Sequence, residues 1–240
     1  MKIKQSVLAI SMCVSMFACD TVQKIASVLT PSNLEMALGI KQALEQGLNK
    51  SFDDFKNPQS NALLAFTFPG EAQKVVNTLN NLGLGSLVNS VTAKANNAIA
   101  SAVTSAKPIF INSLKNMSFS DAAKILLSGN QTAATDYFKT STKNDLIVAF
   151  RPIADSTVKA QGIDKEWGKI ANAINNFPLA GIKVENTLTD FIAARAVDGM
   201  YNIVANEEKK IRTDISARST DVMKRVFAYA DEQKAKNGTN

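Results

Sequence analysis

The chain has no histidine and only two cysteines, Cys13 and Cys19, among its 240 residues. Without histidine there is no Ser-His or Cys-His catalytic pair and no imidazole ligand for zinc. Both cysteines lie close to the N-terminus, so a mature chain that begins at Cys19 would have no disulfide and no free thiol. An enzyme of this composition would depend on carboxylate or lysine chemistry, and the sequence predicts no cofactor and no metal site.

Long hydrophobic runs are also scarce, and the clearest one lies at the N-terminus. The apolar run Val7–Phe17 follows Lys2 and Lys4, and it is shorter than the roughly 20 residues that span a bilayer. Ala18 and Cys19 come next, as in the cleavage site of a bacterial lipoprotein. We therefore predict a signal peptide over residues 1–18 and lipid attachment at Cys19. The alternative is ordinary secretion, which also removes the first 18 residues.

This reading places the protein in the bacterial cell envelope, facing the periplasm or the cell surface. The lipid on Cys19 would make the membrane a partner, and residues 19–33 would serve as a tether. The net charge is +6, and loss of the signal-peptide lysines Lys2 and Lys4 leaves +4 (6 − 2). Lysine and arginine are interspersed with aspartate and glutamate, and the sequence has no run of basic residues. Nucleic acid is therefore not an expected partner.

Apolar residues recur at helical spacing along most of the chain, and no stretch alternates with a period of two. The predicted fold is all-α, a single-domain bundle of about eight to ten helices over residues 34–229. A polar tail over residues 230–240 is expected to fray. The one candidate strand is Leu63–Phe68, which could equally be an extended linker.

Several positions predict where helices start, bend and end. Ser118–Asp121 and Thr187–Asp190 have the spacing of capping boxes. Pro108 is expected to open a new helix, since proline suits the first helical position. Pro152 is expected inside a helix that it kinks, and Gly162 should end that helix.

The densest polar group lies near residue 208. Glu208 and Arg212 are four residues apart, which predicts a weak surface pair on one helix. A functional alternative makes Glu207 and Glu208 an acid/base pair or a cation site. Successive residues of a helix point about 100° apart, so these two carboxylates are not expected to converge.

Asp198 is the second candidate, because it lies inside an otherwise apolar run. Such a charge must face solvent or find a partner. One interpretation is a structural pair with Arg195, Arg151 or Arg218. The other is a pocket lined by Asp198, Tyr137 and Arg151.

The region from about Leu34 to Phe227 resembles a bacterial family of exported helical proteins, domain of unknown function 4197. The segments that carry the resemblance, in family order, are Asn80–Gly85, Ala106–Phe110, Ala133–Phe138, Phe150–Ile153, Ala196–Gly199, Glu207–Arg212 and Ala217–Asp221. The resemblance implies one all-helical extracytoplasmic domain and supplies no activity. Two segments depart from the family: Ala65–Pro69 lacks a preceding arginine, and Asn96–Ala100 lacks an arginine and a glutamate.

The expected function is a non-enzymatic envelope lipoprotein that binds a hydrophobic small molecule or a partner protein. The first alternative is a structural or assembly factor of the envelope without a ligand, and the second is a carboxylate- or lysine-based enzyme. An enclosed apolar cavity would favour the small molecule. An exposed apolar patch would favour assembly, and converging carboxylates with shifted pKa values would favour an enzyme.

Overall fold

The computed structural model describes residues 30–56, 66–68, 70–81, 83–176 and 187–238. Over these residues the protein is all-α and has no strand, which confirms the predicted class. The helices are α1 (Asn33–Asp54), α2 (Gly70–Asn81), α3 (Gly85–Asn116), α4 (Ala122–Leu126), α5 (Ala133–Ala160), α6 (Ile163–Asn176), α7 (Thr189–Thr213) and α8 (Asp221–Asn237), with a short 3-10 turn at Ile215–Ala217. These eight α-helices fall within the predicted range of eight to ten.

α1 packs closely on its neighbours through four buried small residues spaced four apart, Gly39, Ala43, Gly47 and Ser51. A Cβ atom on Gly47 would lie 3.0 Å from the Cα atom of Val204 in α7. A Cβ atom on Gly39 would lie 3.0 Å from a methyl group of Val226 in α8. The hydroxyl of Ser51 donates to the carbonyl of Gly47 at 2.9 Å, so this polar group is satisfied in the buried interface. Glycine at positions 39 and 47 therefore sets how near the helices approach.

α7 lies among α1, α5 and α3, and its side chains form much of the core. α5 and α7 are antiparallel, because Glu208 near the end of α7 contacts the start of α5, whereas Asp190 at the start of α7 pairs with Arg151 farther along α5. α1 is antiparallel to α7 as well, since Gln46 contacts Glu207 and Ser51 contacts Met200.

Pro108 does not open a helix, contrary to the prediction, but lies inside α3. Its ring is exposed, while Phe110 and Leu114 beyond it are buried in the core. Burial of these side chains offsets the loss of one helical hydrogen bond, so the helix continues. Pro152 lies inside α5 as predicted, and Gly162 follows that helix with φ of +64°.

Both predicted capping boxes are wrong. α4 begins after Asp121 without a side-chain cap, and α7 begins at Thr189 with Leu188 in the cap position. A capping box does open α1, where Ser32 and Glu35 bond each other's backbone N–H groups. Thr220 caps α8 by accepting from the N–H of Met223 at 3.1 Å.

The structure describes most of the C-terminal end of the chain but not the predicted signal peptide or most of the tether. α8 continues to Asn237, so most of the expected tail is helical, with Ala230 buried. Residues 1–18, Cys19 and the tether up to residue 29 lie outside the described residues. Of Leu63–Phe68, the structure describes residues 66–68, which form no strand; the N–H of Phe66 donates to Oδ1 of Asn96 in α3 at 2.7 Å.

Candidate functional site

Glu208 lies on α7 with its side chain 1% exposed. The predicted surface position is therefore wrong. The Glu208 carboxylate accepts from the N–H groups of Ala134 and Thr135 at 3.0 and 2.8 Å, and from the Thr135 hydroxyl at 2.7 Å. These N–H groups belong to the first turn of α5, where a helix has unsatisfied donors and partial positive charge. Glu208 thus caps a helix that is remote from it in sequence.

Arg212 completes the same group from the next turn of α7, and we name Glu208 and Arg212 together the helix clasp. Its Nε donates to Oε1 of Glu208 at 2.9 Å. Its other nitrogens donate to the carbonyls of Leu126 at 2.9 Å and Ile125 at 3.2 Å, which are the last residues of α4. The guanidinium also lies 5.6 Å from the ring centroid of Phe227.

The clasp is chemically saturated. Each carboxylate oxygen of Glu208 accepts two hydrogen bonds, and three Arg212 nitrogens donate. Glu207 points elsewhere and accepts from Nε2 of Gln46 at 2.9 Å, which agrees with the expected divergence of the two glutamates. The clasp has no oxygen left to act as a general base.

Asp198 contacts neither Arg151 nor Arg218. Its Oδ1 pairs with Nζ of Lys143 at 2.7 Å and of Lys139 at 3.3 Å, both from α5, and its side chain is 33% exposed. Burial favours the protonated form, but the bonds from the two lysines outweigh it and hold the pKa of Asp198 below its usual value. We name Asp198, Lys139 and Lys143 the lysine cluster.

Tyr201 lies one turn beyond Asp198 and is not among the site residues that the sequence predicts. Its hydroxyl shares a 2.7 Å hydrogen bond with Thr142, and its ring packs edge-on against Phe138. Burial, together with the nearby Asp198 charge, raises the pKa of Tyr201 to about 12 although the Thr142 bond opposes this shift. The phenol therefore stays neutral. Its i, i+3 spacing from Asp198 was the available signal.

Tyr137, Arg151 and Asp198 do not form the pocket that the second interpretation of Asp198 predicts. Tyr137 donates to the carbonyl of Ser118 at 3.0 Å, and Arg151 pairs with Asp190 at 2.6 Å on the surface. Fourteen residues separate Tyr137 from Arg151 along α5, which corresponds to about 21 Å of helix. The candidate residues therefore belong to separate contacts.

A surface groove runs between the C-terminal half of α3 and the middle of α5. Its volume is about 730 Å³ and it is open to solvent. The walls are mainly apolar, with one charge of each sign; the lining residues are Pro108, Ile109, Ile111, Asn112, Ser113, Lys115, Asp145, Leu146 and Ala149. This open, largely apolar shape suits a macromolecular segment better than a buried small molecule. Sequence periodicity did not reveal it, because it depends on how two remote helices meet.

Neither a metal-binding group nor a membrane-spanning helix occurs among the described residues. No group of acidic residues there could hold a metal ion. Across the described helices, none combines the length and hydropathy that a membrane crossing requires.

The fold and these contacts define an all-helical bundle whose clasp and lysine cluster join helices. The model of the family "Protein of unknown function (DUF4197)" matches residues 30–228. The chain therefore belongs to the DUF4197 family, as the sequence resemblance indicated. No curated protein and no solved structure matches the chain.

Proposed function

We propose that this protein is a bacterial envelope lipoprotein, anchored through Cys19, that acts without catalysis by binding a protein partner. The groove between α3 and α5 is the observation that carries the proposal. Its occupant would be a protein segment that is apolar on one side and carries charges of both signs. Lys115 and Asp145 supply the complementary charges.

The polar groups elsewhere give less support to an enzyme. The clasp carboxylate is fully hydrogen-bonded to two helix ends and to Arg212, and Asp198 is neutralised by two lysines. Neither group belongs to the groove lining. A catalytic role would require a carboxylate free to exchange a proton with a substrate.

The openness of the groove favours a protein partner over a small apolar molecule. Small-molecule sites bury most of the ligand surface, which an open groove does not do. A helical segment, by contrast, buries only its apolar face in a groove between helices. The half-buried Ile109 and Ile111 would contact that face.

The groove is tested with a photoreactive amino acid at Asn112 in the full-length protein, expressed in its bacterial host. Thr140, exposed on α5 but outside the groove lining, is the matched control position. We expect a discrete protein adduct from Asn112, absent from Thr140 and lost when Ile111→Asp is added. Equal labelling from both positions contradicts the proposal. If native mass spectrometry shows an additional small-molecule mass on the protein, the occupant is a small-molecule ligand and not a protein partner.

The anchor is tested separately by mass spectrometry of the mature N-terminal peptide. An acylated cysteine is expected at its first position, and Cys19→Ser should release the protein from the membrane fraction. A mature chain without lipid would refute the anchor and leave the groove experiment unaffected.

A further inference from the structure

An exposed apolar ridge, formed by Val148 and Pro152 of α5, lies beside the groove. Val148 is 72% exposed. It follows the groove residue Asp145 by three positions and precedes Pro152 by four, so these three residues are neighbours on the helix surface. Pro152 has no N–H, so the carbonyl of Val148 lacks its usual helical donor. The ridge thus offers both an apolar side chain and a hydrogen-bond acceptor.

The charges of the groove are also available to a partner. Lys115 from α3 and Asp145 from α5 are both exposed and both line the groove. Among the described residues, neither side chain forms an ion pair within 4.0 Å, although thirteen such pairs occur elsewhere. One face of the molecule therefore carries a ridge, a groove and two charges of opposite sign.

We infer that the partner on this face is a second copy of the same chain. The inference rests on the proposed function and names its occupant. In a two-fold dimer the same surface meets itself, so each feature must be matched by another feature of the same face. The ridge of each copy would enter the groove of the other. Lys115 of one copy would pair with Asp145 of the second, and the pair would occur twice.

Charge reversal tests this pairing because it predicts which combinations of copies associate. The full-length protein is produced in its host as two differently tagged copies, and co-purification from mild detergent is measured. Two wild-type copies should associate. Lys115→Glu with itself, and Asp145→Lys with itself, should each associate at least about tenfold less, since like charges then face each other.

Mixing the variants separates self-association from an effect inside one chain. A Lys115→Glu copy with an Asp145→Lys copy should associate like wild type, because both intermolecular pairs are then of opposite sign. The double variant should associate with itself but not with wild type. An attraction between the two charges of one chain would not be restored by mixing the single variants.

Three outcomes overturn the inference: absence of wild-type association, equal association of all combinations, and failure of the mixed variants to recover. Lys165→Glu, an exposed change outside the groove lining, is the matched control and should leave association unchanged. If the Asn112 adduct contains a different protein and the mixed variants fail to recover, self-association is refuted while the proposed groove function stands. Unchanged circular dichroism spectra show that the variants fold.

Discussion

α7 carries two ionic groups that differ chiefly in their access to water. In the helix clasp, the Glu208 and Arg212 side chains are 1% and 2% exposed. In the lysine cluster, about a third of the Asp198 side chain is exposed, and the same holds for Lys143. Water can replace a lost partner in the lysine cluster but not in the clasp. Burial, more than the distance between the charges, therefore decides how strongly each group supports the fold.

The clasp bonds the end of α4 and the start of α5, two helix ends that are close in sequence. α4 ends at Leu126 and α5 begins at Ala133, and the residue before α5 makes no side-chain cap bond. The N–H groups of Ala134 and Thr135 and the carbonyl of Leu126 bond to α7, whereas the Ile125 carbonyl also accepts from the local N–H of Ser128 at 3.4 Å. α7 supplies a cation to the carbonyls and an anion to the N–H groups, the signs that the helix dipoles favour.

Breaking the clasp should give the largest effect. Glu208→Gln retains the shape of the side chain but leaves the Arg212 charge buried without its carboxylate. We expect the free energy of unfolding to fall by about 3 to 5 kcal/mol, the usual range for one partner of a buried pair. Chemical denaturation followed by circular dichroism measures this change.

The adjacent Glu207→Gln is the control for the clasp. Glu207 accepts one hydrogen bond from Gln46, and its carboxylate lies 3.6 Å from the ammonium of the exposed Lys210, which water can solvate. The same chemical change should therefore lower stability by only about 1 kcal/mol. Equal losses from both substitutions would show that the clasp has no special role in the fold.

The sequence does indicate that Glu208 is buried, although its i, i+4 spacing from Arg212 predicted a surface pair. Glu208 follows Val204 by four residues and precedes Ile211 by three, so it continues the apolar stripe of α7. An exposed pair and a buried pair have the same spacing, and only the stripe distinguishes them. The Ala134 and Thr135 partners lie more than seventy residues away, and no local pattern identifies them.

The all-α fold class and the central parts of most helices could be predicted, because both depend on periodic burial of apolar residues. The positions of the helix ends depend instead on competing local hydrogen bonds. The Thr187 hydroxyl accepts from Thr189 at 3.2 Å and so does not act as the cap of a capping box. Pro108 satisfies the rule for a helix start, yet the buried Phe110 beyond it extends the existing helix. The groove needs the relative placement of two remote helices, which periodicity does not provide.

The burial of Tyr201, which lies beside the lysine cluster, can be tested at high pH. The folded pKa of about 12 exceeds the ordinary tyrosine value of about 10, so the folded state holds this proton more tightly than the unfolded state. Wild-type stability should therefore fall by about 2 to 3 kcal/mol as pH rises from about 10 to 12. Tyr201→Phe should lack this part of the loss. Parallel alkaline denaturation profiles of the two proteins would contradict the expectation.

A much smaller effect is expected from the partly exposed carboxylate of the lysine cluster. Asp198→Asn should lower stability at neutral pH by less than about 1 kcal/mol, because water solvates the two lysines that lose their partner. The folded pKa of Asp198 lies below the unfolded value of about 3.9, so its contribution is present above that pH and disappears as pH falls further. Urea denaturation should show the wild-type and variant stabilities converging in acid. Arg151→Ala, which breaks the more exposed pair with Asp190, should cause a smaller loss than Asp198→Asn. If Asp198→Asn instead matches Glu208→Gln, then exposure to water does not rank the two ionic groups of α7.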